Sequence, residues 1–346
     1  MAVLMKKKSK YFQLAYGAIV CAFIFTGCSD YNRREEKILM ENEKEESELK
    51  EKSGLGEEPE LKEKSGLGEE PELKEKSGLE EELENERTDG AEIVEEEWSE
   101  YFNGLNGTAV LYDVENRRYT VYHDDLASIR RSPCSTFKII SSLTALENGI
   151  FEPEESTRNW SGEIFWNEDW NRDLDFCEAF RTSCVWYYRQ LIDDIGKDMM
   201  QKELNKLQYG NCDISDWEGR LNTNNNNRAL TGFWIESSLM ISPKEQVEVM
   251  ERIFGEGSDY SEETRNELKQ VMLVSEQEKD DISVYGKTGM GKAKGVVVDA
   301  WFTGFAERAE GNLYFCVHLG RTDGMNVSST LAKEIAISLV SDYCIR

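Results

Sequence analysis

The sequence predicts an α+β domain, an antiparallel sheet with helices packed on it and a mostly helical insert. Three observations carry this. Thr108–Tyr112 and Arg118–Tyr122 read as two strands around Val114-Glu115-Asn116, a hairpin. Residues 151–260 read as mostly helical with long loops. Three strand patterns follow, Ser283–Thr288, Val296–Phe305 and Leu313–Leu319, and a helix over Ser328–Val340 closes the chain.

The 346 residues divide into three stretches. Residues 1–28 read as an export signal. Lys6, Lys7, Lys8 and Lys10 make a basic start, and the apolar run Phe12–Phe25 is short for a spanning helix. Phe25-Thr26-Gly27-Cys28 resembles a bacterial lipobox, which implies lipidation of Cys28 and an extracytoplasmic, membrane-anchored protein. An uncleaved anchor and a plain secretory signal are the alternatives, and each exports the rest of the chain.

Residues 29–97 read as a disordered acidic tether. The twelve-residue unit Glu48–Pro59 repeats over Glu60–Pro71 and starts again at Glu72. Each unit offers only two leucines to bury, and its Gly, Pro and Glu content argues for disorder over a solenoid or coiled coil. Residues 31–100 hold 27 acidic and 11 basic residues, most of the net charge of −27. The acidity therefore describes the linker, and it argues against a nucleic-acid partner. Residues 98–346 form the folded domain, long enough for a sizeable core.

Within that domain the run Ile139, Ile140, Leu143, Leu146 has helical spacing, with Gly149 as a stop and Pro133 suited to the helix start. Ser135 falls in the first turn and Lys138 three residues on, so both side chains share one face. A lysine there can take the serine proton if burial lowers its pKa, and N–H groups at the helix start can stabilise an oxyanion. Ser-x-x-Lys alone is equally a capped helix start.

Four further signals follow. Ser183-Cys184-Val185 opens an apolar helix over Val185–Ile195. Tyr209-Gly210-Asn211 follows a helix over Met199–Leu207. Gly232-Phe233-Trp234-Ile235-Glu236 leads to Ile241-Ser242-Pro243. Lys287-Thr288-Gly289 ends a strand. Each has a structural reading as cap, helix stop, core residue or turn. The cysteines, six of them beyond residue 97, show no metal-type spacing and read as buried small residues, with disulfides left open. His123 and His318 are far apart and read as structural, which argues against a Ser-His-Asp triad and a His-rich metal site.

In this order the motifs resemble the class D (oxacillinase-type) serine β-lactamases, from about Trp98 to the C-terminus, in their Gram-positive, clostridial-type lipoprotein branch. The resemblance implies the penicillin-recognising serine β-lactamase/transpeptidase-like fold. It implies that Ser135 attacks the β-lactam and that Lys138, carboxylated by CO2, is the general base. It further implies that Trp234 holds the carbamate, that Ser183 relays a proton with Lys287, and that Val185 lines the pocket. Thr288 and Gly289 would line the substrate strand, and the N–H groups of Ser135 and Met290 would form the oxyanion hole. No metal is implied, and no cofactor besides CO2 or bicarbonate. Many members bind the substrate carboxylate with an Arg before the last helix. Arg321 is the candidate here, with Thr288 and nearby hydroxyls as the alternative. A penicillin-binding transpeptidase would usually carry Asn at the position of Val185. The main competing function is a β-lactam sensor that is acylated without turnover; an inert structural lipoprotein on the same fold is the third.

Overall fold

The computed structural model describes residues 90–220, 226–277 and 282–345. The expected signal and lipidated Cys28, and most of the expected tether, lie outside them.

Seven strands form one sheet in the order β1-β3-β2-β7-β6-β5-β4. They are β1 (Glu92–Glu95), β2 (Gly107–Asp113), β3 (Arg118–Tyr122), β4 (Leu273–Gln277), β5 (Ile282–Ala293), β6 (Val296–Glu307) and β7 (Leu313–Gly320). All neighbours are antiparallel except β1, which runs parallel to β3. The helices are α1 (Ser99–Phe102), α2 (Asp124–Ala127), α3 (Lys138–Glu147), α4 (Phe176–Arg181) and α5 (Val185–Ile195). Then come α6 (Lys197–Leu207), α7 (Pro243–Phe254), α8 (Glu262–Met272) and α9 (Ser329–Ile345). None is long and apolar enough to cross a membrane among the described residues.

The sheet buries both faces, which is why β7 reads as an unbroken buried run. Period-two alternation sorts its side chains. Leu313, Phe315, Val317 and Leu319 join a core with Phe102, Ala332 and Leu339 of α1 and α9. Tyr314 and Cys316 face the opposite core, with Leu143, Leu191 and Val247 from α3, α5 and α7. The helical insert 151–260 therefore covers one face and the closing helix the other.

Four elements depart from expectation. β1 lies within 29–97, the stretch read as tether; it is a short edge strand with three of four side chains exposed, so its pattern is indistinguishable from a polar linker. α8 and β4 were not expected: α8 is mostly polar with only Thr264, Leu268 and Met272 buried, and β4 follows it without a turn. β5 extends beyond Thr288 to Ala293, because β6 pairs with it to Val296.

α7 forms as its sequence dictates. Pro243 occupies the first turn, Ser242 Oγ accepts from Glu245 N, and Glu245 Oε2 accepts from Ser242 N at 2.9 Å, a capping box. Arg130 pairs with the buried Glu245 through Nε, 3.0 Å from each carboxylate oxygen.

Candidate active site

The chain enters the site through Ser132-Pro133-Cys134. Ser132 Oγ donates to Trp234 O at 3.0 Å and accepts from Glu236 N at 2.9 Å. Cys134 N also donates to Trp234 O, 3.0 Å, and Trp301 Nε1 donates to Ser132 O, 3.0 Å. Cys134 itself is left-handed, φ 50°. This kink delivers Cys134–Phe137 as a 3-10 turn from which α3 continues at Lys138. Ser135 therefore sits on a tight turn ahead of the α-helix, where a regular first helical turn was expected. The i, i+3 relation survives because 3-10 geometry eclipses i and i+3.

Lys138 Nζ donates to Ser135 Oγ at 2.9 Å. Ser135 is half-buried, whereas Lys138 is 1% exposed. Burial pushes the Lys138 ammonium down to about 8. Its nitrogen lies 5.1 Å from the centre of the Tyr188 ring, whose hydroxyl pairs with Ser142 Oγ at 2.9 Å.

A second Ser–Lys pair faces it. Lys287 Nζ donates to Ser183 Oγ, and to Thr288 O at 3.2 Å. Lys287 is buried, and burial followed by the positive charges of Lys138 and Lys333 holds its pKa well below the usual lysine range. Ser183 is presented by the end of α4. Cys184 N donates to Ala179 O (2.9 Å) and Ser183 N to Phe180 O (3.2 Å), the paired bonds of a Schellman motif. Ser183 occupies its left-handed position, φ 56°, where glycine is usual. The turn ends at Cys184, and α5 starts at Val185, half-buried.

β5 closes the site. A Cβ on Gly289 would stand 3.0 Å from Pro133 O and from Thr136 Cγ2, so the glycine lets the strand lie against the nucleophile's turn. β4 pairs with β5 only from Ile282 to Tyr285. From Gly286 onward the outer edge of β5, with Thr288 half-buried and Met290 41% exposed, has no strand neighbour among the described residues.

Trp234 is fully buried against Phe137, ring centroids 6.2 Å apart. Gly232 precedes it with the indole packed where a Cβ would be, 1.9 Å from its ring. Gly210, φ 53°, lets the Tyr209-Gly210-Asn211 turn meet the chain at Met240, since a Cβ would be 2.0 Å from Met240 O. Asn211 then bridges to Ser238 O (2.8 Å) and Met240 N (2.9 Å), so this motif fixes the wall leading to Ser242.

The histidines lie in structural contacts: His318 Nε2 with Asp299 Oδ1 at 3.0 Å, its pKa lowered chiefly by burial, and His123 Nδ1 with Gly107 O at 3.0 Å. Arg321 is exposed and pairs with exposed Asp323, 3.0 Å. Of the six cysteines among the described residues, Cys134, Cys184 and Cys316 are buried, and their thiols form no disulfide there. No group of three or more His, Cys, Asp or Glu side chains that could hold a metal ion occurs among the described residues.

Two residues of this centre carry no motif signal. Ser132 is visible only through its bonds. Arg189 stands four residues after Val185, and that spacing alone would have set it on the same face of α5.

Residues 106–340 match the penicillin binding protein transpeptidase domain. Regulatory protein BlaR1 of Bacillus licheniformis is 29% identical over 253 residues, covering 72% of this chain and 39% of that protein. The chain thus spans well under half the length of that relative. The probable β-lactamase YbxI of Bacillus subtilis is 32% identical over 247 residues, 70% of this chain and 82% of the relative. A solved class D β-lactamase from Bacillus subtilis superposes with a TM-score of 0.59 at 30% identity, over 71% of this chain and 94% of that one. With two Ser–Lys pairs on this fold, and these relatives, the chain belongs to the penicillin-binding transpeptidase domain family, in its class D β-lactamase branch.

Proposed function

We propose that this protein hydrolyses the β-lactam ring of penicillin-type antibiotics through an acyl-enzyme on Ser135, conferring resistance. One observation carries the reading: two serine hydroxyls each lie against a buried lysine whose pKa is held down, Ser135 with Lys138 and Ser183 with Lys287. A lysine in that state accepts or relays a proton near neutral pH.

Ser135 Oγ attacks the ring carbonyl, forming a C–O bond while the C–N bond breaks. The ring nitrogen receives its proton through Ser183. Lys287 then reprotonates Ser183, and the substrate carboxylate, entering beside it, raises the proton affinity of Lys287. The N–H groups of Ser135 and Met290 stabilise the oxyanion, and the free edge at Thr288 and Gly289 pairs with substrate. Val185 lines the apolar pocket.

Lys138 suits carboxylation, since only a neutral amine attacks CO2 and its burial favours that form. So modified, it supplies the general base for Ser135 and then for the hydrolytic water. The indole N–H of Trp234 is the donor for its charge. We further read the protein as exported and lipid-anchored through Cys28, with residues 29–89 as its tether.

The second reading is a β-lactam sensor, favoured by the BlaR1 resemblance. Mixing the full chain with a chromogenic cephalosporin and bicarbonate separates the two. Many turnovers per molecule, lost in Ser135→Ala, are expected of the hydrolase. A burst of about one equivalent followed by silence would make it a sensor.

A further inference from the structure

Trp234 leans on a residue no motif includes. Arg189 is 6% exposed, on α5 one turn beyond Val185. Its guanidinium carbon lies 5.4 Å from the ring centres of both Trp217 and Trp234, so the cation sits between two indoles. Three further bonds hold it there. Nε donates to Asp193 Oδ2 at 3.2 Å, Nη2 donates to Asp193 Oδ1, and Nη1 donates to Trp217 O at 3.0 Å.

Burying a guanidinium is expensive, and apolar residues of similar volume often fill such a position at no loss of stability. Core packing alone therefore does not account for Arg189. What the arrangement does provide is a fixed indole. Trp234 is held on one side by Phe137, which immediately precedes Lys138, and on another by Arg189 from the helix that follows Ser183. Trp217 in turn stacks on Phe233, centroids 5.1 Å apart, so the guanidinium also braces the neighbour of Trp234. A cation over the ring face draws electron density from the indole and strengthens its N–H as a donor.

We propose that Arg189 is a positioning residue that orients and polarises the Trp234 indole so that its N–H holds carboxylated Lys138. The proposal rests on the reading of Lys138 given above. It joins the two halves of the site, because α5 follows directly on the Ser183 turn, starts at Val185 and clamps Trp234 one turn later.

The test follows the Lys138 carbamate resonance by 13C NMR in the full chain, titrated with 13C-bicarbonate at fixed pH. Turnover is measured against bicarbonate in parallel. Arg189→Met is expected to raise the half-saturating bicarbonate about tenfold, the scale of a desolvated cation–π contact. Full occupancy should return at high bicarbonate. Arg189→Lys keeps a cation without the planar fork and should fall between, which also guards against a Met variant that does not fold. In a Trp234→Phe background, Arg189→Met should add nothing further. An unchanged midpoint in both Arg189 variants overturns the proposal. So does a loss of signal that bicarbonate does not restore, which marks a merely structural role. A wild type with no carbamate resonance removes the reading of Lys138 itself, and that result is separate because it needs no Arg189 variant.

Discussion

At the scale of single residues, the site stores energy that the fold must offset. Lys138 is buried with its pKa lowered from 10.5 to about 8. Below pH 8 both folded and unfolded chains hold that proton, and the folded state bears the full penalty, about 3 kcal/mol for a shift of this size. The penalty shrinks as pH rises through 8 toward 10.5, and is gone above it. Lys138→Met in bicarbonate-free buffer is therefore expected to be more stable than wild type at pH 6–7, and to lose that advantage by about pH 10.5, while turnover is abolished. Chemical denaturation across pH checks this; equal stability at all pH values contradicts it. Ser183 stores backbone energy, as a left-handed residue where a Schellman turn favours glycine. Ser183→Gly and Ser183→Ala both lose the hydroxyl, so both lose activity. The Gly variant should be the more stable by about 1 kcal/mol, since only Ala keeps the Cβ that a left-handed backbone penalises. Melting the two side by side reads the difference.

At the scale of elements, how much was legible followed from how strongly burial patterns a segment. β2, β3, β6, β7, α5 and α7 could be read within a few residues of their bounds. α7 has a capping box and a first-turn proline, and α5 has buried Trp186, Tyr187, Leu191 and Ile192. The motif residues were legible because they fall at element junctions with short, fixed spacing. β1 was not, since an exposed edge strand has no apolar period to detect. Nor was the 3-10 turn beneath Ser135, which depends on the distant Trp234 O accepting from Cys134 N. The same holds for Arg189, whose partners Trp217 and Trp234 are brought together only by folding. β1 makes a prediction of its own. Glu92 N donates to Arg117 O and Glu96 N to Val121 O, both 2.9 Å, so the strand is tied to β3 along its length. Deleting residues 29–89 should leave Tm and kcat/KM unchanged. Extending the deletion through Glu95 should lower Tm by roughly 3–6 °C, the equivalent of about 1.5 kcal/mol in a domain of this size. Equal melting of the two truncations would show that β1 contributes no stability.

At the scale of the whole molecule, the two faces of the sheet have separate tasks. The face under α9 and α1 is mainly core: Phe315, Val317, Leu319, Ala332 and Leu339 pack there, and its buried charges, Arg308 and Asp113, neutralise each other at 3.1 Å. The other face carries the helical insert, and there the chain places the costly groups of the site. Lys138, Lys287 and Arg189 are all buried on it, and the left-handed Cys134 and Ser183 precede α3 and α5. A core extending over both faces offsets those costs, which a smaller domain would not sustain. The β5 edge at Thr288–Met290, with no strand neighbour among the described residues, lies where this expensive face meets solvent. A hydrolase differs from a sensor in that water removes the acyl group placed on Ser135. Intact-protein mass spectrometry after mixing the full chain with excess penicillin tests this most directly. The expected result is a penicillin adduct on Ser135 that appears, and then disappears as the penicillin is consumed, with opened product far exceeding one equivalent. An adduct that persists at one per chain after free penicillin is removed would contradict hydrolysis and leave a penicillin sensor.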